Sequence, residues 1–172
     1  MRVLVTGASG YIGGSIAAAL LESGHEVVGL VRSGARAGEV RERGMEPLVG
    51  TLDDADLLAA AAREADAVIN AADAEHRGAV EAILPALAGS GKAFLQTSGS
   101  SIVADLAGGE RSEAIYDEDT PVQPLPGRAA RVALNQGVLA AAGNGVRAVV
   151  ICPSLIYGAG RGSIQGASRC RG

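Results

Sequence analysis

Three glycines near the start of the chain, Gly7, Gly10 and Gly13, have the spacing that points most clearly to chemistry. They follow a short apolar run that ends at Thr6, and an alanine-rich segment compatible with a helix comes after them. A strand, a tight glycine turn and a helix start, in this order, let the backbone approach a pyrophosphate closely and offer it unpaired N–H groups. The pattern therefore predicts a dinucleotide-binding turn.

The residues after the second apolar run bear on which dinucleotide is bound. A site that prefers NAD places a carboxylate here, where it bonds the ribose 2′-hydroxyl. This chain has Arg32 and Ser33 instead, a guanidinium and a hydroxyl that both suit a 2′-phosphate. The sequence therefore favours NADP over NAD. The alternative is that Arg32 is an ordinary solvated cation.

Bulk composition limits the classes of partner. The chain has 172 residues, 48% of them apolar and 20% charged, which suits one globular domain with a sizeable core. A formal net charge of −4 and an aromatic content of 2% argue against nucleic acid and anionic membranes as partners. No apolar run reaches the roughly 20 residues that span a bilayer, and no signal-peptide pattern opens the chain. We therefore expect a cytoplasmic protein with a small-molecule substrate.

The few cysteines and histidines give no metal-ligand spacing, so no metal site is predicted. Cys152 lies in an apolar run and is predicted to be a buried, inert thiol. His25 and His76 are isolated in the sequence and are predicted to face solvent.

Strand-like apolar runs alternate with helix-like segments. The runs are continuous, which is typical of strands buried on both faces of a parallel sheet. Repeated strand–helix units imply right-handed crossovers, so the predicted fold class is α/β, with a doubly wound parallel sheet of the Rossmann type. The predicted strands are Arg2–Thr6, Glu26–Val31, Glu46–Val49, Ala67–Asn70, Ala93–Thr97 and Arg147–Cys152, and the predicted helices lie near Ile12–Ser23, Ala37–Arg43, Asp54–Glu64, Ala74–Leu87 and Ala129–Ala142.

Two segments are predicted to be irregular. Ser101 to Gly127 is expected to form one long loop, because three prolines lie between Asp119 and Pro126. Residues 159–172 are rich in Gly, Ser and Arg and are expected to form a disordered tail. The dinucleotide-binding domain is thus predicted over residues 1–158, with the C-terminal substrate region largely absent.

Four segments share their order and spacing with a known superfamily. Residues 6–13 read TGASGYIG, residues 50–54 GTLDD, residues 70–72 NAA and residues 153–158 PSLIYG. In these segments the chain resembles the extended or atypical short-chain dehydrogenase/reductase superfamily, in its NAD-dependent epimerase/dehydratase group. The chain departs from that group's motifs at Thr51, where an aspartate is usual, and at Cys152, where an arginine is usual.

The glycine turn, the choice of nucleotide and the resemblance together imply a set of cofactor-binding residues. The set is Gly7, Ser9, Gly10, Tyr11, Ile12, Gly13, Arg32, Ser33, Leu52, Asp53, Ala71, Ala72, Thr97 and Pro153.

The catalytic residues that the resemblance implies are largely replaced in this chain. The superfamily uses a Ser or Thr together with a Tyr and a Lys four residues apart, a spacing that puts both side chains on one helix face. Aligning the motifs puts Gly127 at the tyrosine, Arg131 at the lysine and Gly99 at the reactive hydroxyl. Arginine stays protonated and therefore cannot replace the phenol as an acid.

Three weaker catalytic candidates are left: Ser100, Arg131 and Tyr157. Ser98 is an alternative source of the hydroxyl, and both serines also suit a polar loop after a buried strand. Arg131 suits an exposed helix face equally well, and Tyr157 suits simple packing.

Two classes of function follow from these residues. The first is an NAD(P)-binding oxidoreductase or epimerase-like protein, with NADP favoured, acting on a small carbonyl or hydroxyl compound. The second is a non-catalytic NADP(H)-binding sensor or regulator, or a truncated and inactive member of the superfamily. The helix Ala129–Ala142 is compatible with a homodimer interface and equally with packing inside the domain.

Overall fold

The computed structural model describes residues 1–108 and 110–158. The strands are β1 (Arg2–Thr6), β2 (Glu26–Val31), β3 (Glu46–Val49), β4 (Ala67–Asn70), β5 (Ala93–Thr97) and β6 (Arg147–Ile151). The helices are α1 (Tyr11–Glu22), α2 (Gly34–Glu42), α3 (Ala55–Glu64), α4 (Arg77–Leu87) and α5 (Ala129–Ala140), and 3₁₀ turns lie at Ser100–Val103, Pro126–Arg128 and Ala141–Asn144. The predicted tail over 159–172 lies outside the described residues.

The strands form one parallel sheet in the order β3-β2-β1-β4-β5-β6. The chain winds outward from β1 in one direction to β3, and then returns to β4 on the other side of β1. This order is that of a doubly wound sheet, so the predicted fold class is confirmed. The order reverses between β1 and β4, and a ligand crevice is expected outside the carboxyl ends of these strands.

Helices cover both faces of the sheet. Leu4 of β1 belongs to a core cluster with α3, α4 and α5, whereas its neighbours Val3 and Val5 pack with α1 and α2. This two-sided burial is why the strand sequences are continuous apolar runs. The edge strand β6 differs, because Val149 and Ile151 on one of its faces are 45% and 46% exposed.

Several element boundaries differ by one to three residues from their predicted places, and two of these differences matter below. Helix α2 begins at Gly34 rather than near Ala37, because the Ser33 side chain accepts a hydrogen bond from the Arg36 N–H at 3.4 Å and so caps the helix. Strand β6 ends at Ile151, and Cys152 beyond it is exposed. The prediction that Cys152 is a buried thiol was wrong, because β6 lies at the edge of the sheet.

Among the described residues, no helix combines the length and the hydropathy that crossing a membrane requires.

Candidate nucleotide-binding site

The turn between β1 and α1 needs its glycines because backbones approach closely there. Gly7 has a φ of +69°, and a Cβ on it would lie 2.7 Å from the Ala71 carbonyl oxygen. A Cβ on Gly13 would lie 2.3 Å from the Gly7 carbonyl oxygen. Carbon and oxygen atoms that are not bonded cannot come so close, so only glycine fits at either position. The turn therefore packs tightly against the loop that follows β4.

The start of α1 offers N–H groups to a ligand. Gly10 is the N-cap residue and supplies no side-chain hydrogen bond, and no acidic residue lies in the first turn. The first N–H groups of a helix have no partner within it, and the helix dipole places positive partial charge at this end. Tyr11, Ile12 and Gly13 form this first turn, so it suits an anionic group.

A cleft of about 370 Å³ opens at the carboxyl edge of the sheet, where the strand order reverses. Among the residues predicted to bind the cofactor, its lining includes Gly7, Ser9, Gly10, Arg32, Leu52, Ala71 and Ala72. Turns that follow four different strands thus meet around one space.

The cleft carries a second arginine that the sequence did not reveal. Arg36 lines the cleft together with Arg32, and its Nη1 lies 2.7 Å from the Glu39 carboxylate. The sequence interpretation began α2 near Ala37 and left Arg36 in a loop. The cap at Ser33 was the available signal, because it places Arg36 in the first helical turn, beside the end of β2.

Buried polar side chains join the strand ends under the cleft. The Thr6 hydroxyl donates to the Asn70 side-chain oxygen, and Asn70 Nδ2 donates to Gln96 Oε1 at 2.8 Å. The Ala71 N–H donates to Thr6 Oγ1 at 3.2 Å. This network connects β1, β4 and β5 and fixes the start of the loop that lines the cleft. The signal in the sequence is a polar residue at or next to the end of each of these three strands.

His76 caps a helix rather than simply facing solvent. Its Nδ1 accepts a hydrogen bond from the Ala79 N–H at 3.1 Å, at the start of α4, and its Nε2 lies 3.2 Å from Asp53 Oδ1. Since Nδ1 is the acceptor, the neutral ring carries its proton on Nε2, and this N–H donates a hydrogen bond to Asp53. The side chain is 24% exposed, so it faces solvent only in part. Asp53, a predicted cofactor residue, is thereby tied to the loop after β4.

The remaining predicted cofactor residues, Thr97 and Pro153 among them, are not part of the lining of this cleft. The Tyr11 hydroxyl donates to the Gly158 carbonyl at 2.8 Å, which ties the glycine turn to the segment after β6. Thr97 ends β5, and the Pro153 carbonyl accepts from the Ser100 N–H at 3.0 Å.

Arg131 and Gly99, which the motif alignment placed at two catalytic positions, are neighbours. A Cβ on Gly99 would lie 3.4 Å from Arg131 Nη1. The same nitrogen donates to Ser101 Oγ at 3.1 Å, and Nη2 lies 2.7 Å from Glu75 Oε1. Arg131 therefore bridges the loops that follow β4 and β5. It is held in place and is only partly exposed.

The other catalytic candidates do not join this cluster. Ser100 is exposed at the start of a 3₁₀ turn, and Tyr157 is 87% exposed. Ser98 is buried and accepts a hydrogen bond from Asn135 Nδ2 at 2.9 Å. Within the described residues, no hydrogen bond or ion pair links Ser100 or Tyr157 to Arg131. A Cβ on Gly127, the position aligned with the tyrosine, would meet no atom within 4 Å.

Strand order, glycine turn and cleft together define a doubly wound dinucleotide-binding domain. The model of the NAD dependent epimerase/dehydratase family matches residues 3–170. The chain belongs to this family, which confirms the resemblance seen in its motifs.

Several known proteins are similar to the chain. Oxidase ucsJ of Acremonium is 38% identical, over 95% of this chain and 53% of that protein. A 4-hydroxy-2-methyl-3-oxo-4-farnesyl-3,4-dihydroquinoline-1-oxide ketoreductase of Stigmatella aurantiaca is 34% identical, over 92% of this chain and 51% of that protein. The structure of UDP-glucose 4-epimerase from Thermus thermophilus in complex with NAD is 26% identical, with a TM-score of 0.67, and the match covers 88% of this chain and 54% of that one. The chain spans about half the length of the curated relatives it matches.

Proposed function

We propose that the chain is the NADP(H)-binding part of an oxidoreductase or epimerase-like protein that acts on a small carbonyl or hydroxyl compound. The observation that carries this proposal is a cleft with a glycine turn in its lining and two arginines, Arg32 and Arg36, beside the end of β2. The family, and relatives named as an oxidase and a ketoreductase, support a role in hydride transfer.

The residues of the cleft fit such a cofactor. Gly7 and Gly13 leave backbone space that a side chain would fill, and the start of α1 would hold the pyrophosphate. The guanidinium of Arg32 would hold the 2′-phosphate, with Arg36 beside it. When bound, the cofactor supplies or accepts the hydride. The chain's own residues bind and orient it.

Arg131 would hold an oxygen atom of the substrate by donating hydrogen bonds to it. A guanidinium stabilises negative charge on an oxygen but does not give up a proton. A proton donor would therefore have to be Tyr157, or water. We further propose that the protein is cytoplasmic and forms a homodimer through α5.

A second candidate function is a non-catalytic NADP(H) sensor. Two observations favour it. The position aligned with the tyrosine holds Gly127, and Arg131, at the position aligned with the lysine, is already paired with Glu75. Such a protein would bind the nucleotide through the same cleft without turning over a substrate.

Titration of NADPH and NADH by isothermal calorimetry tests the nucleotide assignment. We expect NADPH to bind more tightly than NADH, and Arg32→Ala to weaken NADPH binding by about 10- to 100-fold, because a charge-assisted hydrogen bond is lost. NADH binding should stay the same. Arg41→Ala, an exposed arginine in the last turn of α2, is the matched control and should change neither affinity. Equal affinities in the unaltered protein would contradict the assignment to NADP.

Turnover separates the two candidate functions. The protein is mixed with NADPH and a panel of aldehydes, ketones and nucleotide sugars. Oxidation of NADPH that is lost in Arg131→Ala or Tyr157→Phe supports the oxidoreductase. Tight binding without turnover supports the sensor.

A further inference from the structure

Arg131 carries hydrogen-bond donors that the fold does not use. A guanidinium has five N–H donors in a planar fork. Its Nη1 donates to Ser101, its Nη2 is paired with Glu75, and its Nε is buried without a partner within the described part of the chain. A buried donor without an acceptor is costly, so such a group indicates a missing partner.

Glu75 shows which chemistry fits this guanidinium. Its carboxylate oxygen already lies 2.7 Å from Arg131 Nη2. The Glu75 side chain is 42% exposed and lies two residues after Asp73, which lines the nucleotide cleft. A carboxylate on a half-exposed side chain can be exchanged for the carboxylate of a ligand, because guanidinium–carboxylate geometry is the same for both.

Gly99 lies beside the fork, and Gly127 lies in open space farther from it. A Cβ on Gly99 would come to 3.4 Å from Arg131 Nη1, so a side chain at this position would contact the guanidinium. Because residue 99 is glycine, no side chain lies there. A Cβ on Gly127 would meet nothing within 4 Å, so the first turn before α5 is open. In the aligned family motif these two positions carry the reactive hydroxyl and the tyrosine. A ligand can therefore occupy space that side chains would otherwise take.

We propose that Arg131 is a binding site for the carboxylate of a small carboxylic acid, and that Glu75 is its built-in competitor. The carboxylate of the ligand displaces the Glu75 side chain. One of its oxygens takes the place of Glu75 Oε1 at Nη2, and the other accepts a hydrogen bond from Nε, which has no partner in the pair with Glu75. That the acid also carries a carbonyl or hydroxyl group beside its carboxylate rests on the proposed function. Arg131 is thereby a specificity-determining residue rather than an acid catalyst.

The test uses oxamate, a small carboxylate that cannot be reduced as a 2-oxo acid can. Binding is measured by calorimetry at constant ionic strength, with and without NADP⁺. We expect Glu75→Gln to tighten oxamate binding by about three- to tenfold, since the competing charge is removed. Arg131→Gln should weaken it by about tenfold or more. Arg128→Gln alters a partly exposed arginine three residues earlier; it is the matched control and should bind oxamate as the unaltered protein does.

Several results would overturn the proposal. One is equal oxamate affinity in Glu75→Gln and the unaltered protein, and another is no binding to either. If Arg128→Gln weakens oxamate binding as much as Arg131→Gln does, the effect comes from the overall positive charge and not from a site at Arg131. Because Glu75→Gln predicts a gain, a folding defect cannot imitate success. NADPH titration of the same samples separates the two proposals. If the unaltered protein and Glu75→Gln bind NADPH but not oxamate, only the carboxylate site is overturned, while failure of the unaltered protein to bind NADPH overturns the proposed function.

Discussion

At the scale of single residues, Gly13 is required by a close approach rather than by an unusual backbone angle. It lies inside α1, where a Cβ would come within 2.3 Å of the Gly7 carbonyl oxygen. Gly13→Ala must therefore push the glycine turn away from the helix. We expect a loss of about 1–3 kcal/mol in the free energy of unfolding, measured with urea, together with weaker NADPH binding.

Gly137 provides the matched control for this substitution. It also lies inside a helix, α5, and a Cβ on it would meet nothing within 4 Å. Gly137→Ala should stabilise the protein by about 0.5–1 kcal/mol, because alanine is the better helix former. If Gly137→Ala destabilises the protein as much as Gly13→Ala does, the loss in Gly13→Ala does not come from the close approach to the Gly7 carbonyl.

The glycine turn was readable from the chain because its geometry is local. Gly7, Gly10 and Gly13 lie within seven residues of one another, so their spacing alone specifies a turn and a helix start. The sequence did not predict that Arg36 lines the cleft, because its position depends on where α2 begins. The Ser33 side chain caps this helix and sets its start at Gly34.

At the scale of elements, the start of α4 depends on the imidazole of His76. The ring accepts the Ala79 N–H and donates to Asp53, so it joins a helix start to the loop after β3. We expect His76→Ala to lower the free energy of unfolding by about 0.5–2 kcal/mol, as the loss of an N-cap does. Thermal and urea unfolding measure the effect.

Restoring the cap tests the cause. His76→Asn supplies a side-chain acceptor at the same position and should recover most of the stability lost in His76→Ala. If asparagine and alanine destabilise the protein equally, the contact with Asp53 carries the effect and the cap does not.

At the scale of the whole molecule, the two faces of β6 differ. Val150 packs against the core shared with α3, α4 and α5, whereas Ile151 is 46% exposed. We expect Val150→Thr to lower the free energy of unfolding by about 1 kcal/mol, since a hydroxyl replaces a packed methyl group. Ile151→Thr should change it by less than about 0.5 kcal/mol.

Urea unfolding of the two variants, with sedimentation to follow self-association, makes the comparison. Ile151→Thr could instead lower the free energy of unfolding more than Val150→Thr does, by an amount that depends on protein concentration. That result would mean that a second copy of the chain covers this face of β6 in solution, in addition to the proposed interface at α5.

The fold was predictable because its cause is repeated along the chain. A strand buried on both faces must be a continuous apolar run, and β1, β2 and β4 coincide with such runs. Helix ends were marked by glycines with positive φ, such as Gly24 and Gly44. These signals act over a few residues, so the strand–helix order, the doubly wound class and the glycine turn were readable from the amino-acid sequence.

The contacts of the site depend on the packed chain. Arg131 and Glu75 are far apart in sequence, and so are His76 and Asp53, yet each pair is within hydrogen-bonding distance. No local pattern records such pairs, because strand order and helix docking decide which loops meet at the carboxyl edge of the sheet. For the same reason the exposure of Cys152 follows from the edge position of β6, which its apolar neighbours in sequence do not reveal. The glycines predict where a nucleotide would bind, and the three-dimensional arrangement shows which charged groups lie at the cleft.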